Sequence, residues 1–475
     1  SEPALAAFLR KHKKLRVILC VATKEDKKFY DANFPDKFDE IKVLPNQFDV
    51  LNKEFDQNEI VEQAKTMENI LDSSIYRVFL SHRVVGSGFF SSGGFLHPTT
   101  RLTKYTNHFD KLRMALAEIL FWKDLFENNT IEVAINVSNA GHSLAKKMNI
   151  PSLRYEQGRF ENSAYWTMDD YRQPDNLPQL FNNNREKSFD QIVLNEQYKD
   201  YQISRKIDLD GLRFIATLRK SALSFLMRIY GRIRGYRKGK NIFALSEFLY
   251  IWRKRSEFLR LKKMATIKED NYINKKYIFF PLLAEPEIAL HGIAQDFFFQ
   301  LSAINMLSRD LPADYTIIVK EHILAIGRRP RDFYGQILSL KNVQLADPLM
   351  YGLDFIKKAS AVACITGTAG WEAAVSGVPV ISFSKNNGFN VVDHVFVVRE
   401  PDDTKDIIKN VLNKDWPSSQ SIKDGARLYN TVMENSFNRG DKTFFISWKD
   451  AKSKKNLIDE DAKLLGRTLL EKLGK

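Results

Sequence analysis

Apolar and polar positions along this chain fall into two kinds of block. Short unbroken apolar runs, of the sort that form strands covered on both faces, alternate with longer stretches carrying an apolar residue every three or four positions. Val17 to Ala22, Glu132 to Val137 and Ile150 to Tyr155 are runs of the first kind, with weaker ones at Ile41 to Leu44 and Ile75 to Leu80. Further on come Lys276 to Leu282, Tyr315 to Lys320, Val343 to Ala346, Ala361 to Ile365, Val380 to Phe383 and His394 to Val398. Between them, Asn58 to Leu71, His108 to Glu127, Ala294 to Arg309, Arg331 to Leu340, Leu353 to Lys358 and Asp402 to Asn413 have helical spacing. In His108 to Glu127, for example, Phe109, Leu112, Ala115, Leu116 and Ile119 share one face. Such alternation predicts parallel α/β sheets, whose ligands bind at the carboxyl ends of the strands.

With 475 residues the chain exceeds one ordinary core. The pattern divides it into a Rossmann-like domain over 1–195, an insertion over 196–270, a second Rossmann-like domain over 271–415 and a helical tail over 416–475. The span 161–195 is polar and reads as irregular. Two such domains with ligand edges facing across a cleft suit a nucleotide-sugar enzyme.

Charge sharpens this division. The formal net charge is +14, and 196–268 holds 19 basic against 6 acidic residues, so nearly all of the surplus sits in one segment. Within it, Leu212 to Tyr230 and Ile242 to Met264 predict basic amphipathic helices, which lie on anionic membrane surfaces. A solvated face packed on its own domain and a nucleic-acid arm are the alternatives, and no nucleic-acid motif supports the last. The first residue is Ser1 rather than Met. No signal-peptide pattern and no apolar run of bilayer length occur, so a cytoplasmic location, peripheral on the inner face of the membrane, is expected. Cys20 and Cys364 each lie in an apolar run, as small buried hydrophobes in a reducing compartment would.

The most informative stretch is Ala361 to Phe383, read as strand, glycine turn, short helix, Gly-Val-Pro stop and strand. Gly367 and Gly370 permit a sharp turn and close backbone approach, and the helix start offers N–H groups to a phosphate. Thr368 and Ala369 lie in that turn. Glu372, placed in the first helical turn, can reach a ribose hydroxyl, or it can simply answer the helix dipole. Lys320 and His322 end the preceding strand run, where each can donate to phosphate oxygens or form a solvated turn with a histidine cap. Arg328 and Arg329 are placed either on the same anion or at the start of the next helix. In the first domain Glu156 and Arg159 follow a strand, with Glu156 suited to act as a base or a nucleophile. His142, after Asn139-Ala-Gly, is an alternative base or a residue that orients the acceptor, and Asp169 and Asp170 compete. No metal-ligand spacing appears.

Pro281-Leu-Leu-Ala-Glu-Pro-Glu287, Val319-Lys-Glu-His322 and Thr366-Gly-Thr-Ala-Gly-Trp-Glu-Ala373 with Gly377-Val-Pro-Val380 resemble the bacterial capsule and surface polysaccharide biosynthesis glycosyltransferases, which include Kdo transferases using a CMP-sugar. Tyr155-Glu-Gln-Gly-Arg159 is similar to an N-lobe element of that family. The resemblance covers roughly 130–160 and 276–400. It implies a GT-B fold, an acceptor side in the first domain, and a nucleotide held by the second. Lys320 and His322 would lie near phosphate, Gly367 to Gly370 in the phosphate loop, and Glu372 on the ribose. Gln157 stands where Kdo-transferring members tend to have a second acid, Ile323 replaces a proline, and the basic insertion has no counterpart.

The expectation is therefore a metal-independent glycosyltransferase with no cofactor. It would move a sugar, a CMP-linked acidic one such as Kdo being favoured, to a glycan or lipid-linked glycan acceptor, with 196–268 on the inner membrane and no nucleic-acid partner. A nucleotide-sugar epimerase on the same scaffold and a non-catalytic scaffold protein are the rivals.

Overall fold

A computed structural model of the chain describes residues 2–12, 15–45, 50, 54–80, 108–192, 194, 214–233, 244–269, 271–285, 288–330, 332–438 and 455–474. The glycine-rich stretch 86–94 and residues 195–213 and 234–243 of the basic insertion lie outside them. The chain divides into two compact units that are not consecutive blocks. The first takes Ser1–Phe79, Asn107–Asp175 and Val432–Lys475; the second takes Leu80–Thr106 and Asn176–Thr431.

The first unit contains a parallel pair, β1 (Ile18–Val21) and β2 (Glu40–Val43), and a mixed four-stranded sheet. That sheet is built from β3 (Ala134–Ile135), β4 (Ser152–Gln157), β5 (Ser163–Thr167) and β12 (Phe437–Asn438), in the order β12-β5-β4-β3. Helix Glu2–His12 joins the two cores, giving Ala6 to the first and Leu9 to the second. Helix Lys455–Lys472 adds Leu465 and Leu469 to the second core, and Trp166 Nε1 donates to Thr468 Oγ1 at 3.0 Å. The end of the chain is thus structural material of this unit rather than a separate tail.

Three local expectations change. Ile75 to Leu80 forms a short helix, Ile75–Val78, because Ser74 caps Tyr76 N and buries Ile75 at its start. The polar span after 160 is not irregular throughout: β5 turns back on β4 as an antiparallel hairpin, with Glu156 opposite Tyr165. The apolar face of β5 had been obscured by its Ser and Thr ends. Glu156 therefore sits near the carboxyl end of β4, which is parallel to β3 on one side and antiparallel to β5 on the other.

The second unit carries the regular alternation. Its strands are β6 (Tyr277–Pro281), β7 (Thr316–Lys320), β8 (Val343–Leu345), β9 (Ala361–Cys364), β10 (Val380–Ser382) and β11 (Val395–Val397), all parallel, in the order β11-β10-β9-β6-β7-β8. Every position of β6 except Pro281, and all of β9 and β10, is buried, as unbroken Val/Ile/Phe/Ala runs require. Read from β6, the chain winds outward through β7 and β8, returns to β9 and winds the other way. This is the doubly wound order, with its topological switch between β6 and β9. Part of the basic insertion belongs to this fold: helix Ala244–Met264 places Phe258 and Leu261 in the main core. Just beyond it, Thr266 N and Ile267 N both donate to Leu345 O at 3.0 Å.

Candidate functional site

The switch point is where the sequence motifs of the second unit meet. Pro281 at the end of β6 pairs with Lys320 at the end of β7, and β9 flanks β6 on the other side. The turns after these three strands open on one edge of the sheet. After β9, Gly367 takes φ +104° before helix Thr368–Val375. The positive φ is what calls for glycine, and a β-carbon there would also lie 2.7 Å from Leu283 Cδ2, so that side chain would have to shift. Gly370 is glycine for a different reason. Its β-carbon would sit 2.5 Å from Phe389 and 2.8 Å from the Cys364 sulfur, so its absence seats the helix on the sheet rather than admitting a ligand. Burial pushes the Cys364 thiol up to about 12.

Helix Thr368–Val375 buries Gly370, Trp371, Ala373, Ala374 and Val375 and leaves Thr368, Ala369 and Glu372 partly open. Thr368 and Glu372 are four residues apart and share one face. Side chains on a helix lean toward its N-terminus, which directs Glu372 toward the first helical turn at Thr368. Glu372 is the fifth helical residue, one turn beyond the expected position, which takes it away from the helix-dipole explanation. It accepts no hydrogen bond and pairs with no cation among the described residues. Burial alone pushes its carboxyl up to about 7.

Across the switch the polar groups are differently placed. Glu321, between Lys320 and His322, is 1 % exposed and takes Arg329 Nε at 2.9 Å, Arg329 Nη2 at 2.8 Å and the Tyr334 hydroxyl at 2.7 Å. Burial pushes its carboxyl upward, but Arg329 and these donors outweigh it and hold the group below its ordinary value. Arg329 also reaches Glu285 at 3.4 Å and donates to Leu283 O at 2.6 Å. Glu285, raised by burial to about 7 despite Arg329, accepts from Gln300 Nε2, while Gln300 Oε1 takes Leu283 N at 2.6 Å. Arg329 is therefore a buried clamp that fixes the β6 loop, and not an exposed anion ligand.

Lys320 is 8 % exposed at the end of β7. His322 Nδ1 accepts from Leu324 N at 3.2 Å, capping the short turn Ile323–Ala325. The cap and the ligand role are compatible, because accepting on Nδ1 places the proton of the neutral ring on Nε2. The sheet thus brings Lys320, His322, Gly367, Thr368, Ala369 and Glu372 to one edge. Sequence reading missed Glu285, Gln300 and Tyr334; a charged residue just after a wholly apolar strand, as at Glu285, is the signal that points to a buried partner.

In the first unit the candidates form a paired network. Glu156 Oε1 accepts from Arg172 Nη1 at 2.7 Å. Arg154 and Arg172 both donate to Asn139 Oδ1, at 3.2 and 3.4 Å. Burial, with Arg172 beside it, lowers Arg154 to about 10. Arg159 is half-buried near Tyr165. The role expected for His142 is corrected: it is buried, Nδ1 lies 2.9 Å from Ser152 Oγ and Nε2 3.2 Å from Asp170 Oδ1, so both ring nitrogens are committed. Burial holds its imidazole below the ordinary histidine value. Asp170, held low chiefly by His142, also takes Lys146. Arg172 and Asn139 were not singled out from the sequence. Among the described residues no group of His, Cys, Asp and Glu could hold a metal ion.

No protein-family model matches the chain, and no curated protein matches it. Among solved structures it is similar to the Thermosulfurimonas dismutans KpsC beta Kdo 2,7 transferase, at 12% identity over 87% of this chain and 90% of that one, with a TM-score of 0.31. The beta Kdo 2,4 transferase of KpsC from the same organism is similar at 11% identity, over 62% and 78%, with a TM-score of 0.30. The Methanocaldococcus jannaschii UDP-GlcNAc 2-epimerase in complex with UDP-GlcNAc and UDP is similar at 14% identity, over 88% and 100%, with a TM-score of 0.28.

Proposed function

We propose that the second unit binds a nucleotide sugar at the β6–β9 switch and that the chain is a glycosyltransferase of the GT-B kind. One observation carries this reading: Glu372 is a half-buried carboxylate with no partner among the described residues, on the helix that follows a positive-φ glycine turn at the switch point. Leaving a buried carboxylate unpaired costs stability, so a position that keeps one calls for a ligand to satisfy it. A ribose diol supplies two hydroxyl donors of the right kind. The N–H groups at Gly367 to Ala369 take the phosphate, with Lys320 and His322 supplying the positive charge and the donor that the turn lacks.

The donor is a nucleotide sugar, a CMP-linked acidic sugar being favoured by the sequence resemblance, and the acceptor is a glycan or lipid-linked glycan of a bacterial surface polysaccharide. The first unit serves the acceptor, with Glu156 as the catalytic carboxylate, Arg172 and Arg159 fixing and neutralising charge around it, and His142 as a positioning residue.

Calorimetric titration of the chain with CMP, UDP, GDP and dTDP tests the core of this proposal. One nucleotide is expected to bind, and Glu372→Ala to weaken it by about tenfold or more, the loss of hydrogen bonds to a charged group. Absence of binding to all four, or binding indifferent to Glu372→Ala, sinks it. An acceptor-independent change of the donor sugar would instead establish the epimerase.

A further inference from the structure

Helix Phe214–Ile233 is inside out. Its inward face carries Thr217 and Ser221, both wholly buried, while Ile215 is 78% and Leu226 61% exposed. Ile215, Leu218, Phe225, Leu226 and Ile229, all exposed, recur at the three- and four-residue spacing of a single stripe, with Leu223 beside it. The helix is held to Ala244–Met264 from its first turn, where Phe214 meets Trp252 edge-on at 5.5 Å and Arg255 lies over the Phe214 ring. A water-facing helix would put these large apolar groups inward and the two hydroxyls outward. A contiguous apolar stripe turned outward marks an interaction surface.

The charge of the segment says what the surface meets. From Phe214 to Lys240 the chain has basic residues at 219, 220, 228, 232, 234, 237, 238 and 240 and no acidic residue at all. Two copies joined through this stripe would bring like-charged segments together, which opposes self-association. An exposed apolar stripe in a segment whose only charges are basic matches a lipid surface with anionic headgroups. No helix among the described residues is long and apolar enough to cross a membrane.

We infer that the outward stripe of helix Phe214–Ile233 docks the protein on an anionic lipid bilayer, with the apolar side chains entering the headgroup boundary and the positive charge of the segment favouring anionic lipid. This sharpens the sequence expectation, since the contact is carried by the apolar face of one helix and not by the charge of 196–268 as a whole. Helix Ala244–Met264, whose Phe258 and Leu261 are core residues, has a structural task instead.

Flotation of the full chain with vesicles of phosphatidylcholine alone, and of phosphatidylcholine mixed with phosphatidylglycerol, tests the inference. The chain is expected to float with the mixed vesicles and far less with the neutral ones. The double substitution Phe225→Glu/Leu226→Glu, at exposed positions, is expected to lower partitioning by about tenfold or more. Its nucleotide titration should match that of the unaltered chain, showing that the fold survives. Equal flotation of the variant, no flotation of the unaltered chain, or a dimer broken by the substitution with vesicle binding unchanged would each overturn it. Loss of nucleotide binding by Glu372→Ala has no bearing on flotation, so the two readings fail separately.

Discussion

The open edge of the second unit's sheet and the β4–β5 hairpin of the first both collect carboxylates, guanidiniums and a histidine, yet they are built on opposite plans. In the hairpin region Glu156 has Arg172, His142 has Ser152 and Asp170, and Asp170 has Lys146. At the switch the buried charges Glu321, Arg329 and Glu285 are paired as well, but they brace the β6 loop, and Glu372 is left out of the arrangement. In the hairpin each of these carboxylates has a cation or a ring nitrogen beside it, whereas at the switch one carboxylate has none among the described residues. The contrast is a better guide to the ligand than the number of polar residues, which is large in both places.

The strongest way to break this contrast is to remove its brace. Arg329→Met strands Glu321 and Glu285 in the core and is expected to cost about 3–5 kcal/mol in denaturant unfolding, the penalty for an uncompensated buried charge. A cost near zero would mean that the three groups are not a unit. Gly367→Ala comes next, since an alanine at φ +104° must also displace Leu283; about 1–3 kcal/mol of strain is expected, together with loss of nucleotide binding in calorimetry.

A smaller effect separates Glu372 from its surroundings by pH. In the unfolded chain a glutamate releases its proton near its ordinary value of 4.5, whereas folded Glu372 and Glu285 hold theirs to about 7. The folded state binds these protons more tightly, so stability falls as pH rises from about 4.5 to 7. Glu372→Gln is expected to remove part of that fall, on the order of 1–2 kcal/mol, seen as a flatter pH profile of the denaturation midpoint. An unchanged profile would show that Glu372 is ionised and satisfied in the folded chain. The smallest effect belongs to the hairpin: the Glu156–Arg172 pair is partly exposed, and Glu156→Gln is expected to change unfolding stability by about 1 kcal/mol or less while abolishing sugar transfer. A large loss of stability would make Glu156 structural.

The second unit was legible in the sequence because its strands are buried on both faces and stand out as unbroken apolar runs between glycine and proline stops. Ala361–Cys364 with Gly367, and Thr316–Lys320, could be placed to within a residue or two for that reason. The first unit was harder. β5 is wholly buried yet reads Ser-Ala-Tyr-Trp-Thr, and β12 is two residues brought from far along the chain. Neither the pairing of β12 with β5 nor the packing of Lys455–Lys472 on that core leaves a local signal, since both depend on partners hundreds of positions away. At the sites, residue types at strand ends were visible, whereas their pairing was not. Arg329 looked like an anion ligand and His142 like a base because nothing in their neighbours' identities shows that Glu321 and Asp170 pair with them.

The pairing of β12 with β5 also sets an order of assembly. Residues 176–431 are continuous, so the doubly wound sheet can close as soon as they have left the ribosome. The unit that begins first must wait for residues 432–475 before its outer strand and covering helix exist. A nascent chain halted after 431 would therefore carry a finished doubly wound sheet and, in the other unit, an unsealed sheet edge, open to chaperones and to protease.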